Sequence, residues 1–184
     1  CAFHDDIEEG DAYLHNDPYS GNSHPADHTL IVPVFWEGRH VFNVCAKAHQ
    51  ADIGNSLPTT YHAAARDIYE EGALIFPAVR VQRARQNIDD IIRMCQRRIR
   101  VPEYWYGDFL AMLAAARTGE KRIHEVFAKH GSATVLRFVD QWFDYSEARM
   151  RSAIRALPAA TVTREGAHDP LPPLMPDGIP VRVK

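Results

Sequence analysis

At 184 residues, with 46% hydrophobic and 24% charged positions, the chain is long enough to fold as one domain and bury roughly 70% of its unfolded surface. Its formal charge of -3 excludes a global attraction for nucleic acid or an anionic membrane, and no run of roughly 18 apolar residues or charged-then-apolar leader points to a membrane span or secretory signal. Cys1, Cys45 and Cys95 are far apart and form no Cys-x-x-Cys pair, which argues against a disulfide framework or zinc finger and fits a cytoplasmic protein.

In chain order, His4 to Asp11 is acidic and reads as a solvated face, and Ala12 to His15 is a short strand candidate. Asn16-Asp17-Pro18 is turn chemistry. Thr29 to Trp36 and Arg39 to Ala46 are both rich in β-branched and aromatic residues and flank Glu37-Gly38, so an antiparallel hairpin with a two-residue turn is expected. Centring the turn between Glu37 and Gly38 pairs Asp27 with Ala48 and Ala26 with His49. Leu30, Val32 and Val34 on one face, with Ile31 and Phe35 on the other, fit a strand inside a layered structure. Pro33 lacks an N–H and marks an edge or a bulge. His28 and His40 have no partner at ligand spacing and read as structural.

The ribbon carries two His-x-x-Asp groups to one end: His24 with Asp27, and His49 with Asp52. Neutral imidazoles and carboxylates together form a ligand set suited to Zn, Mn or Fe(II), with positions left open for water or substrate. Asp17 is a candidate carboxylate for orienting a ligand imidazole. Asp17 and Asp52 are also the catalytic candidates.

After Gly54, the loop offers Ser56, Thr59, Thr60 and Tyr61 as substrate-binding candidates, and Tyr61 to Glu71 reads as a short helix closed by Gly72. Asn87 to Arg100 is a helix candidate capped by Asn87, with Ile88, Ile91, Ile92, Cys95 and Ile99 on one stripe. This most basic region lacks aromatics, so base stacking is unsupported, and a helix-end role or a contact with another subunit is the better reading. Glu103 to Lys129 reads as helix interrupted or bent at Thr118-Gly119, with Phe109, Met112, Leu113, Ala116, Ile123, Val126 and Phe127 as core and Asp108 and Glu120 at helix ends. Ser132 caps a last helix to about Leu157, with Val135, Phe138, Val139, Trp142, Tyr145 and Ile154 inward. The proline-rich tail from Ala159 to Asp177 lacks periodicity, His168-Asp169 reads as a loop pair, and Ile179 to Val183 as a last strand. No Gly-x-x-x-x-Gly-Lys-Ser/Thr loop or Gly-x-Ser-x-Gly elbow occurs.

These elements predict an α+β fold: a β-hairpin layer carrying the site, packed with three or four helices. One domain over 1–184 is expected, β-rich in 1–58, mainly helical in 59–158 and irregular in 159–184.

Asn16-Asp17-Pro18-Tyr19, Gly21, His24-x-x-Asp27, Ala48-His49-x-x-Asp52-Ile53-Gly54 and Ile68-Tyr69-Glu70-Glu71-Gly72 resemble the hydantoinase B/oxoprolinase family. So do Arg100-Val101-Pro102-Glu103, Gly119-Glu120-Lys121-Arg122 and Tyr145-Ser146-Glu147, in the same order. Gln50 and Asn55 depart from it. The family includes B-type subunits of ATP-dependent hydantoinases such as N-methylhydantoinase, part of 5-oxoprolinase, and α subunits of acetone-type carboxylases. In the carboxylase branch a His-x-x-Asp and a later His bind manganese, and the resemblance carries this onto His24, Asp27 and His49. It implies an ATP-dependent hydrolase of cyclic amides such as hydantoin or 5-oxoproline. The chain would work as a hetero-oligomer with a hydantoinase A-type subunit that binds ATP. Two alternatives are an acetone-type carboxylase α subunit, which needs ATP and bicarbonate, and a non-catalytic scaffold. Relatives are longer and the chain opens on Cys1, so it reads as a fragment.

Overall fold

The computed structural model describes residues 3–172 and 175–184; Cys1 and Ala2, and Pro173 and Leu174 of the proline-rich tail, lie outside them. The chain divides into two compact units, Cys1–His124 and Glu125–Lys184.

The first unit is built on β1 (Ala12–His15), β2 (Asp27–Trp36), β3 (Arg39–His49), β4 (Val79–Arg83) and β5 (Gln86–Asn87). They form one antiparallel sheet in the order β3-β2-β1-β4-β5. α1 (Ile68–Glu71) and α2 (Asp89–Arg98) follow in sequence, and α3 (Pro102–His130) runs across the division between the units. With α4 (Ser132–Arg155) the fold is α+β, a sheet with four helices.

The period-2 pattern of β2 decides the core. Leu30 and Val32 point to one face with Ala12 and Leu14 of β1 and Val81 of β4, and this face packs on Ile92 and Cys95 of α2 and Trp105, Phe109, Met112 and Ala116 of α3. Each of the Leu, Val, Ile, Phe and Met side chains among them stabilises the fold by about 1.5–3 kcal/mol when fully buried. Ile31 and Phe35, on the other face, are only half-buried. That second face is where the candidate site lies.

Several elements differ from the expectation, each for a local reason. α1 is one turn long because Asp67, in extended backbone, accepts from the N–H groups of Tyr69 and Glu70 and sets the start there. Asn87 does not cap α2: its side-chain oxygen accepts from Gln82 Nε2 (2.9 Å) within the β4–β5 pair. α3 runs unbroken through Thr118-Gly119. Gly119 is the point of close approach to the sheet, where an added Cβ would lie 2.7 Å from Val44 Cγ1. Asp11 is not solvated but fully buried, beside Arg80 Nε (3.2 Å) and accepting from the Tyr13 hydroxyl (2.8 Å). Glu120 is buried too, paired with Arg117 and Arg85, while Arg117 also donates to the carbonyls of Gly10 and Asp11. It fastens α3 to β1 and to the β4–β5 turn. Asp108 is exposed.

The second unit holds the end of α3, α4, and a hairpin of β6 (Arg164–His168) and β7 (Ile179–Val183). β7 is the expected last strand, whereas His168 closes β6 opposite Ile179 instead of lying in a loop. Phe138, Trp142, Tyr145 and Ile154, expected inward, are more than half exposed, and Val126 at the end of α3 is exposed as well. Gly131, not Ser132, occupies the N-cap position of α4. Val135 and Val139 of the same stripe are half-buried, and Val135 and Phe138 line a pocket with Val126 and His130 at the end of α3.

Candidate metal centre

The β2–β3 turn is a two-residue one, with Glu37 and Gly38 both at positive φ (51° and 75°), the geometry that matches strand twist in a tight hairpin. Next to it Trp36 pairs with Arg39 and Phe35 with His40, the expected register. Between Val34 and Phe35 the register shifts: Val34 pairs with Phe42, and Val41 is left unopposed. This bulge carries through the rest of the ribbon, so Asp27 pairs with His49 and not with Ala48. The shift decides the site. A one-residue slip moves a strand's side chains to the opposite face, and only the shifted register puts Asp27 and His49 side by side.

His24 arrives from the loop before β2. Asn22 Nδ2 donates to the carbonyls of His24 and Asp27, both at 2.8 Å. The buried Asn16 donates to the carbonyls of Pro25 (2.8 Å) and Leu74 (2.9 Å) and accepts from the Phe76 N–H (2.6 Å). The loop is thus anchored to the segment before β4 as well as to β2.

Asp27 Oδ1 stands 3.0 Å from His49 Nδ1 and 3.5 Å from His24 Nε2, and one ligand atom from each of the three residues lies within 4.8 Å of the others. Two ligands each about 2.1 Å from one metal stand roughly 3.0–3.4 Å apart in octahedral or tetrahedral geometry, close to the two spacings from Asp27 to the imidazoles. Two imidazoles and one carboxylate suit Zn, Mn or Fe(II) and leave positions open. The Asp27 carboxyl is ionised: burial opposes its charge, but hydrogen bonds from Lys47, His49 and Ser23 and the nearby His24 hold it down to about 2.

The other expected residues lie elsewhere. Asp52 Oδ1 accepts from the Gly54 N–H and lies 3.2 Å from Arg100 Nη1, and its Oδ2 accepts from the Arg100 N–H. Asp52 is engaged by Arg100 and is not part of the three-residue group. Asp17 caps the turn Pro18–Ser20, accepting from the Tyr19 N–H and the Ser20 hydroxyl. The Ser56 hydroxyl donates to the Glu70 carbonyl, and Thr59 Oγ1 bonds within its own loop, where Thr60 is half-buried. Tyr61 alone of that loop reaches the centre: its hydroxyl is 3.0 Å from His24 Nε2, and its ring packs against both imidazoles. Gln50 and Asn55 are buried.

Neither Lys47 nor Ser23 was expected beside Asp27. Lys47 Nζ lies 3.0 Å from Asp27 Oδ2 and donates to Ser23 Oγ (2.8 Å), which in turn donates to Asp27 Oδ2 (3.1 Å). The alternation of β3 was the available signal, since Lys47 stands two before His49 and shares its face.

The profile of hydantoinase B/oxoprolinase proteins matches residues 1–184. The chain belongs to the hydantoinase B/oxoprolinase family. Within this family it is 36% identical over 166 residues to the B-type subunit of a putative D-/L-hydantoinase of Pseudomonas sp. (strain NS671), covering 90% of the chain and 28% of the relative. It is 34% identical over 156 residues to the β chain of the caprolactamase of Pseudomonas jessenii, covering 85% and 27%. The crystal structure of that organism's ATP-dependent caprolactamase superposes with a TM-score of 0.82 at 32% identity, over 91% of this chain and 28% of that one. Nucleotide-free acetone carboxylase shares the fold, with a TM-score of 0.79 at 24% identity over 89% and 21% of the two chains. The hydantoinase B-like chain therefore spans less than a third of the length of these relatives. Among its described residues, no helix is long and apolar enough to cross a membrane.

Proposed function

We propose that this chain supplies the metal-binding region of an ATP-dependent enzyme that opens cyclic amides of the hydantoin, 5-oxoproline or lactam type, together with a hydantoinase A-type subunit that binds the ATP. The observation that carries the reading is the convergence of His24, Asp27 and His49 at one end of the β2–β3 ribbon. The names of the hydantoinase and caprolactamase relatives support the substrate class, and both relatives are named as subunits, which supports a partner.

His24, Asp27 and His49 would hold the ion, whose contribution is Lewis-acid activation of a ring carbonyl or of water. The chain's own residues do the rest. Asn16 and Asn22 fix the His24 loop, Lys47 and Ser23 hold the far oxygen of Asp27, and Tyr61 places a hydroxyl beside the ligands. His49, with a side chain 44% exposed, leaves the approach open for a small molecule.

Elemental analysis of the purified chain beside its His24→Ala and His49→Ala variants, with circular dichroism on all three, tests the site. About one equivalent of Mn, Zn or Fe is expected in the parent and little in either variant. Ring opening should then require ATP, the partner subunit and His49. A well-folded parent that takes up no metal when it is offered overturns the reading and leaves a scaffold role, with the basic α2 as the surface to examine. Labelled bicarbonate appearing in a ketone product would assign the chain to the carboxylase branch.

A further inference from the structure

The two oxygens of Asp27 face different neighbours. Oδ1 is turned to His49 Nδ1 (3.0 Å) and His24 Nε2 (3.5 Å). Oδ2 is engaged on its other side by Lys47 Nζ (3.0 Å) and by the Ser23 hydroxyl (3.1 Å), and Lys47 also donates to Ser23 (2.8 Å), closing a triangle. The register imposes this arrangement: His49 is directly opposite Asp27, while Lys47 is opposite Thr29 and so stands diagonally from Asp27 on the same face.

A carboxylate binds a divalent ion through one oxygen or both, and the second oxygen fills a position that water or substrate would otherwise take. An ammonium on Oδ2 opposes that in two ways. It occupies the lone pairs the ion would need, and it repels a like charge moving toward them. We propose that Lys47, braced by Ser23, is a positioning residue that restricts Asp27 to one-oxygen ligation and keeps a coordination position free for the reacting group. The inference rests on the metal reading above and adds the device that keeps the centre open. An ordinary exposed ion pair would contribute little and would leave the metal's behaviour unchanged. Here the same carboxylate serves the ligand cluster and the cation, so the two must be coupled.

The test is titration of the chain with Co(II), read by visible absorption and by competition for affinity, in the parent, Lys47→Met, Lys47→Arg, Ser23→Ala and His49→Ala. Lys47→Met removes the charge and keeps most of the stem. It should bind Co(II) severalfold more tightly, with weaker visible absorption, because the freed Oδ2 raises the coordination number. Lys47→Arg should retain the parent spectrum, and Ser23→Ala should move part of the way toward Lys47→Met, which keeps the test alive should the latter misfold. A folded Lys47→Met with the parent's spectrum, or with weaker binding, overturns the role of Lys47. If the parent binds Co(II) and His49→Ala does not, that result leaves the metal centre standing. A parent that takes up no Co(II) overturns both.

Discussion

Asp27 and His49 face each other across the hairpin at 3.0 Å because Val41 is left out of the ladder. In an unbulged hairpin Asp27 would lie beside Ala48, and the imidazole of His49 would point to the face that packs on the helices. The pair is therefore a product of one extra residue, placed eight positions before His49. Asp27→Asn keeps the shape of the side chain and removes the charge. It should lower divalent-metal affinity by about 100-fold or more while costing about 1 kcal/mol of stability, since the Lys47 and His49 partners are themselves partly exposed. Calorimetric metal titration and urea denaturation measure the two effects, and near-parent affinity in the variant would falsify the assignment of Asp27 as a ligand.

His28, the neighbour of Asp27 on the core-facing side of β2, is fully buried against Phe76 with no hydrogen-bond partner for either ring nitrogen among the described residues. Burial pushes it down to about 4 against the pull of the Asp27 charge, so the folded chain keeps it neutral while the unfolded chain protonates it near 6.5. Its contribution is intact above pH 6.5 and is lost as pH falls from 6.5 toward 4, on the order of 3 kcal/mol in all. The midpoint of urea unfolding should drop across that window in the parent and drop less in His28→Leu. Parallel pH profiles for the two would show that acid acts elsewhere.

Asp11→Ala leaves Arg80 with a neighbouring charge removed in a place where water is excluded from the carboxylate. Such a change in a buried pair costs about 3 kcal/mol or more. A loss below about 1 kcal/mol would mean that the pair behaves as a surface contact, with Asp6 able to satisfy Arg80 alone.

Gly119→Ala sets a helix-propensity gain of about 1 kcal/mol against a Cβ placed 2.7 Å from the stiff, β-branched Val44. Overpacking costs typically about 1–3 kcal/mol, so the variant should be less stable than the parent, and Gly119→Ala combined with Val44→Ala should relieve the clash. Thermal melts of the two variants decide the matter: a Gly119→Ala chain that melts above the parent rules out the close approach.

Much of this was legible along the chain because it is local. The hairpin and its Glu37-Gly38 turn, the stripe of α2 and the bounds of β1 follow from residue type and period, and the family resemblance named His24, Asp27 and His49 together. What was not legible depends on partners far away in sequence. Asp52 has the same spacing from His49 as Asp27 has from His24, yet Arg100, 48 positions later, claims it. Asp11 looked solvated until Arg80 and Tyr13 enclosed it, and Gly119 looked like a break until Val44 came against it.

The sequence by itself determined which side chains are able to serve as ligands and that a ribbon would bring them to one end, since alternation and turn chemistry act over a few residues. Only the tertiary structure decided which of them share a face. Pro33 marks an edge or a bulge, but only the folded ladder leaves out Val41 on the partner strand, and at that point the choice between Ala48 and His49 opposite Asp27 is made.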